Sequence, residues 1–185
     1  RYFQKVIRRA EIDICFSEGF SPHMLMSFAS PLGVGLTSDA EYVDIRVNTA
    51  PSSAEAVRRM NEAMAEGMDV VSFRLLPENS KNAMSIVAAA DYEVRFREGQ
   101  EPENGWQEKW REFLSRPEIC MLKETKKGRQ EVDIRPWICD WLVMEDGLFL
   151  QVSAGSVHNL KPELLMQAFG TWAGMELPAS SLLIH

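Results

Sequence analysis

The sequence has 185 residues and a mass of 21.0 kDa; 45% of the residues are hydrophobic and 25% charged, which excludes a disordered or collagen-like chain and leaves enough apolar side chains for a sizeable core. Twenty basic against 27 acidic side chains give a net charge of -7, so bulk charge does not hold this chain on a polyanion and only a local basic patch is left for that purpose. The longest apolar run, residues 86–90, falls far short of the ~20 residues a membrane-spanning helix needs, and no signal peptide is visible, so no membrane contact is expected. Cys15, Cys120 and Cys139 are odd in number, widely spaced and set in apolar surroundings. They predict reduced core thiols and a cytoplasmic protein.

Phe3, Val6, Ile7 and Ala10 fall at i, i+3, i+4 and i+7, the stripe of an amphipathic helix, and the sequence opens inside it. A first strand is therefore expected ahead of Arg1. Ile12, Ile14 and Phe16 alternate with Asp13 and Cys15 as a half-buried strand does, and the Gly and Pro of residues 17–23 break it. Extended structure resumes over 24–29, and Tyr42, Val43, Ile45 and Val47 predict the next strand. Ser52 with Glu55 forms a capping box for a helix carrying Val57, Met60 and Met64 and stopping at Gly67; Val70–Leu76 follows as a strand.

The same order then returns. Tyr92, Val94 and Phe96 mark a strand, and Asn104 with Gln107 caps a helix whose Trp106, Trp110, Phe113 and Leu114 share one face. Residues 119–123, 132–135, 138–144 and 148–152 read as an antiparallel run, with Glu145-Asp146-Gly147 as a hairpin turn. Pro162 opens a helix through Phe169, and Leu182–Ile184 is the last strand. The expected fold is α+β: duplicated ferredoxin-like halves, each on the βαββαβ plan, over residues 1–80 (first strand missing) and 81–185 (with extra antiparallel strands).

Three segments carry candidate chemistry. Ser17-Glu18-Gly19-Phe20-Ser21-Pro22-His23 gathers hydroxyls, a carboxylate and an imidazole whose ordinary pKa of about 6.5 suits proton exchange near neutrality. It has two readings: a functional loop using Ser21 and His23, or a connection shaped by Gly19 and Pro22 that His23 merely caps. His158 and His185 stand apart, and no HxH, HExxH or CxxC spacing exists, so no metal site built from local ligands is expected. Gly33-Val34-Gly35 precedes a strand rather than a helix, so it reads as a turn and not a phosphate loop.

Residues 123–135 hold five basic and three acidic side chains around Gly128. A hairpin with Lys126, Lys127 and Arg129 at its tip suits a nucleic-acid backbone, while the plain alternative is a solvated turn. Asp133 and Arg135, at i and i+2 of an extended strand, share a face and are placed to pair or to hold a ligand. Trp106, Trp110, Trp137 and Trp141 read as core rather than as base-stacking platforms. A patch around Met24, Leu25 and Met26 offers an adaptable surface for a protein partner.

Gly19-Phe20-Ser21-Pro22-His23, Ser27-Phe28-Ala29, Pro31-Leu32-Gly33-Val34-Gly35, Ala40-Glu41-Tyr42-Val43-Asp44-Ile45 and Glu131-Val132-Asp133-Ile134-Arg135-Pro136 together resemble the radical-SAM-linked protein family of bacteria, over nearly the whole chain. The resemblance implies a radical S-adenosylmethionine protein as partner. It also implies that the iron-sulfur cluster and S-adenosylmethionine belong to that partner, since this chain has no C-x-x-x-C-x-x-C and needs no cofactor of its own. A second similarity links residues 128–135 to the catalytic region of pseudouridine synthases acting on the tRNA T-arm, with Glu131 where the nucleophilic aspartate stands. The leading expectation is a non-catalytic accessory module that binds RNA or a ribonucleoprotein substrate through Ser21, His23, Lys126, Lys127, Arg129, Asp133 and Arg135. The alternatives are an RNA-modifying enzyme using Glu131, Asp133 and His23, and a pure protein-interaction module.

Overall fold

The computed structural model of the protein describes residues 1–125 and 128–185. The fold is α+β, with helices set against small antiparallel sheets. The chain divides into two compact units, Arg1–Ala29 with Ala40–Ser85, and Ser30–Asp39 with Ile86–His185.

The first unit begins with α1 (Tyr2–Arg9), whose apolar stripe buries Val6 and Ile7 and continues into buried Ala10. Glu11, at φ +52°, turns the chain out of the helix into β1 (Asp13–Ile14). β2 (Met26–Phe28) pairs antiparallel with β3 (Val43–Ile45), and β1 with β4 (Val47–Thr49). The single strand expected over 42–47 is thus two, broken where the chain changes partner: the Arg46 N–H donates to the Leu25 carbonyl at 3.0 Å and the Arg46 carbonyl accepts from the Cys15 N–H at 2.7 Å.

α2 (Ser53–Ala63) starts where the sequence places it, the Ser52 hydroxyl accepting the Glu55 N–H at 3.3 Å. The capping box is only half built, because the Glu55 carboxylate turns to Arg58 and Arg59 instead. The helix also ends before Gly67. Its Ala56 and Met60 close the core formed by Val6, Ile7, Ile12 and Ile14, each large side chain contributing about 1.5–3 kcal/mol by leaving water. The strand expected at Val70–Leu76 is not formed. Those residues run with neither turn nor bend, Val70 and Phe73 packing on the same core, but no neighbouring strand pairs with them. A short helix, α3 (Ala83–Ile86), follows.

The second unit holds β5 (Ala89–Phe96), α4 (Trp106–Ser115), β6 (Cys120–Thr125), β7 (Gly128–Asp133), β8 (Ile138–Val143), β9 (Gly147–Ser153), α5 (Pro162–Ala173) and β10 (Leu182–Ile184). β10, β5, β9 and β8 form, in that order, a four-stranded sheet with every neighbour antiparallel; among the described residues β6 and β7 pair only with each other. α4 begins after Gly105, at φ +88°, with no side-chain cap, so the Asn104/Gln107 cap is corrected: a left-handed glycine starts this helix. α5 opens on Pro162 as expected and runs past Phe169 to Ala173, where Gly174 at φ +68° closes it.

The core of this unit joins Val94, Leu148 and Leu150 of the sheet to Trp110, Phe113, Leu165 and Phe169 of the helices. Trp110 and Phe169 meet edge to face at 5.0 Å, while the Trp110 indole N–H is buried with no hydrogen-bond partner. At Gly147, opposite Arg95, a Cβ would collide with the Val94 carbonyl oxygen, so only glycine fits this end of β9. Trp106 is core as expected, and Trp137 and Trp141 pack half-buried against it. The expectation of core thiols is corrected: all three cysteines are free, but Cys120 and Cys139 are exposed and Cys15 is half-buried.

Candidate functional site

In the first unit, antiparallel bonding across residues 15–17 and 23–25 aligns side chains on one face. The Leu25 N–H donates to the Cys15 carbonyl at 2.9 Å and the Ser17 N–H to the His23 carbonyl at 2.8 Å, with Phe16 opposite Met24 between them. Asp13, Cys15 and Ser17, two residues apart, therefore follow one another along β1 and its extension. His23 joins them from across the ladder.

These groups are linked in two sets. The Ser17 hydroxyl accepts the His23 backbone N–H at 3.0 Å and lies 2.8 Å from His23 Nδ1. The Ser17 oxygen can give its proton to neutral Nδ1 or accept one from the imidazolium, so the bond survives either charge state. It closes residues 18–22 into a fixed loop with exposed Ser21 and, at its apex, Phe20, whose exposure of 111% means no neighbour covers it. In the second set the Cys15 thiol donates to Asn48 Oδ1 at 3.0 Å, Asn48 Nδ2 donates to Asp13 Oδ1 at 2.9 Å, and the Thr49 hydroxyl donates to Asp13 Oδ2 at 2.8 Å. The Asn48 and then the Thr49 bonds hold the Asp13 carboxyl below its ordinary range. Carboxylate, amide, thiol, hydroxyl and imidazole thus line one exposed strand face. The sequence pointed to Ser21 and His23 but not to Ser17, which anchors the imidazole, nor to Asn48, which joins Cys15 to Asp13 from β4.

In the second unit the β6–β7 hairpin places Glu131 and Arg129 on exposed positions of β7. Lys126 and Lys127 lie outside the described residues. Asp133 ends β7 half-buried, and its Oδ1 accepts the Ile119 N–H at 2.9 Å and the Arg135 N–H at 3.0 Å. Asp133 and Arg135 do not share a strand face as expected, because the strand stops at Asp133 and Arg135 begins a 3-10 turn with Pro136. Their link is carboxylate to backbone. Across from Asp133, the exposed Cys120 has its thiol pushed up, first by desolvation and then by Glu131, Asp133 and Glu118, so it is not an activated thiolate.

Three other features complete the inventory. An open cleft of about 530 Å³ in the first unit runs along Arg9, Glu55, Arg58, Arg59 and Glu62. There Arg58 bridges Glu55 at 2.7 Å and Glu62 at 2.6 Å, and Arg59 meets Glu55 at 2.6 Å; the two guanidiniums hold the Glu55 carboxyl down to about 2. The i, i+3 and i, i+4 spacing made these pairs readable in the sequence. In the second unit a cleft of about 440 Å³ holds Thr37, whose hydroxyl lies 2.8 Å from His185 Nδ1, and Asp39, whose carboxylate lies 3.3 Å from His185 Nε2. Nothing local in the sequence links residues that far apart. The Met24 surface is corrected: Met24 is buried in the core and Met26 packs against it. Among the described residues no group of three or more His, Cys, Asp or Glu is placed to hold a metal ion, and no helix is long and apolar enough to cross a membrane.

An α+β chain in two units, with a polar strand face beside a closed loop, is the class this fold and site define. Over residues 1–162 it matches the bacterial family described as "Uncharacterized protein conserved in bacteria (DUF2344)", and it belongs to that family. No curated protein and no solved structure matches it.

Proposed function

We propose that this chain is a non-catalytic cytoplasmic accessory module that works with a radical SAM protein and contacts an RNA or ribonucleoprotein substrate through the β6–β7 hairpin. The iron-sulfur cluster and S-adenosylmethionine then sit on the partner. What carries the reading is the hairpin: a six-rung ladder, Cys120 opposite Asp133 through Thr125 opposite Gly128, bonded among the described residues to no other strand, with Arg129 two residues after Lys127 in the sequence. Such an arm presents cations to phosphates without disturbing the sheet behind it. The alternative, a pseudouridine-synthase-like enzyme, draws less support, because Asp133 is engaged by two backbone N–H groups and Glu131 lies exposed on the arm.

We read both units as ferredoxin-like. In the second, the strand order β10-β5-β9-β8 with α4 and α5 as crossovers supports this, the β6–β7 hairpin being an insertion.

Two measurements test the functional reading. Fluorescence anisotropy with a tRNA T-arm stem-loop should show affinity falling steeply with salt, with a slope that flattens by about one per phosphate contact removed in Lys126→Ala, Lys127→Ala and Arg129→Ala. A flat salt response removes RNA from the proposal. A pull-down from the native cytoplasm should recover a radical SAM protein that survives nuclease, and its absence removes the partnership.

A further inference from the structure

Residues 1–10 carry four of the chain's 20 cations, Arg1, Lys5, Arg8 and Arg9, and no carboxylate, in a sequence whose net charge is -7. All four are exposed, while Val6, Ile7 and Ala10 are buried in the core of the first unit. At about 3.6 residues per turn the four cations fall within an arc of about 100° on the side of α1 away from that core, with about 6 Å of rise from Arg1 to Lys5 and again from Lys5 to Arg9. The helix therefore shows solvent a face of one sign.

These cations are not engaged within the fold. Arg58, Arg59, Arg95 and Arg111 each meet a carboxylate at ion-pair distance, whereas among the described residues none of Arg1, Lys5, Arg8 and Arg9 does. Arg9 lines the open cleft together with Glu11, Glu55 and Glu62, but Glu55 is bridged by Arg58 and Arg59, and Glu62 by Arg58.

Helix stability does not account for the arrangement. Cations three or four residues apart on one helix face repel each other, and Arg1 with Lys5, Lys5 with Arg8 and Lys5 with Arg9 all have that spacing. Arg8 and Arg9, in the last turn, suit the negative end of the helix dipole, but Lys5 lies too far from that end to share the gain. A polyanion laid along the face would relieve the repulsion. Nucleic acid fits better than lipid: a basic helix that lies in a bilayer surface inserts its apolar face, and that of α1 is already packed into the core through Val6, Ile7 and Ala10. Three of the four cations are arginines, whose planar fork takes two phosphate oxygens at once.

We propose that the exposed face of α1 is a sequence-independent contact for the phosphate backbone of RNA, made by Lys5, Arg8 and Arg9 and extended by Arg1. The choice of RNA as the polyanion rests on the functional reading above; the surface belongs to the other unit from the β6–β7 hairpin and uses none of its residues.

Fluorescence anisotropy with the tRNA T-arm stem-loop tests this on three charge-matched triples. They are Lys5→Gln/Arg8→Gln/Arg9→Gln on α1, Lys126→Gln/Lys127→Gln/Arg129→Gln on the hairpin, and Lys109→Gln/Arg111→Gln/Arg116→Gln, exposed cations on and just after α4, as the control for net charge. The α1 triple should weaken binding at low salt by about tenfold or more and flatten the salt slope by about two to three, against less than about threefold in affinity for the control. Arg8→Lys/Arg9→Lys should keep the natural slope, and the α1 triple should melt no lower than the natural chain. Equal losses in the α1 and control triples mean bulk charge alone and overturn the proposal, as does a lowered melting temperature, which gives the cations to the fold. Loss in the hairpin triple with none in the α1 triple overturns this inference and keeps the RNA reading. Loss in the α1 triple alone upholds the inference and takes the RNA contact off the hairpin, and no binding by the natural chain at low salt overturns both. Phosphatidylserine vesicles or polyglutamate bound more tightly than RNA through the same three residues would give the face to lipid or to an acidic protein instead.

Discussion

The Asn61 carboxamide completes both backbone hydrogen bonds of Val70, accepting its N–H at 2.6 Å and donating to its carbonyl at 3.2 Å. A side chain here does the work of an adjacent strand. Asn61→Ala leaves both half-buried groups unpaired and should lower unfolding stability by about 1–2 kcal/mol in urea denaturation, with residues 68–73 becoming the first cleaved in limited proteolysis. Unchanged stability would show that water replaces the clamp without cost.

Acid titration should expose the Glu55 pairs. The Glu55 carboxyl is lowered from 4.5 to about 2 by Arg58 and then Arg59, so it binds its proton more weakly in the folded chain. A depressed carboxyl stabilises the fold fully above the unfolded value and loses that contribution as pH falls through the folded one. The stability gap between the natural chain and Glu55→Gln should therefore be constant above about pH 5 and shrink toward pH 2, as read from thermal melts across that range. High salt should narrow the gap throughout, because the pairs are exposed.

In the second core, polarity and volume can be separated. Phe169 touches Trp110 and Phe113, and Phe169→Ala should cost about 3–5 kcal/mol. Trp110→Phe gives up ring area but also removes the buried indole N–H that has no partner, so it should cost no more than about half as much. Equal losses in equilibrium unfolding would mean that the indole N–H carries no penalty.

Ser17→Ala tests the closed loop. It removes the one oxygen that meets both the His23 backbone and the His23 ring, leaving the Ser17 to His23 backbone bond intact. Protease cleavage within residues 18–22 should rise about tenfold with global stability changed by no more than about 0.5 kcal/mol. Unaltered cleavage would mean that Gly19 and Pro22 alone hold the loop.

Where structure follows from near neighbours, the sequence was legible. Leu182–Ile184 forms the strand it predicted, Pro162 opens α5, and the Ser52 cap starts α2. Strand extents were harder, since pairing partners decide them: Tyr42, Val43, Ile45 and Val47 read as one strand, yet the chain splits at Arg46 where it passes from β2 to β1, and the second piece runs on to Thr49. Residues 70–76 show the same limit from the other side, having strand composition but no partner. The loop of Ser21 and His23 was marked by its Gly, Pro and His, but its anchor Ser17 and the Asp13–Asn48–Cys15 chain emerge only from cross-strand register. Thr37 and His185 could not be joined from sequence, because no local periodicity spans that separation.

Gly147 has a consequence for how the four-stranded sheet avoids error. β5 and β9 share a long ladder rich in apolar residues, the kind of pairing that can slide by two positions and still bury the same faces. With this end of the ladder unchanged, sliding would put a residue with a Cβ where Gly147 stands against the Val94 carbonyl, and there only glycine fits. The glycine therefore acts as an index mark that fixes the observed register of the β5–β9 ladder.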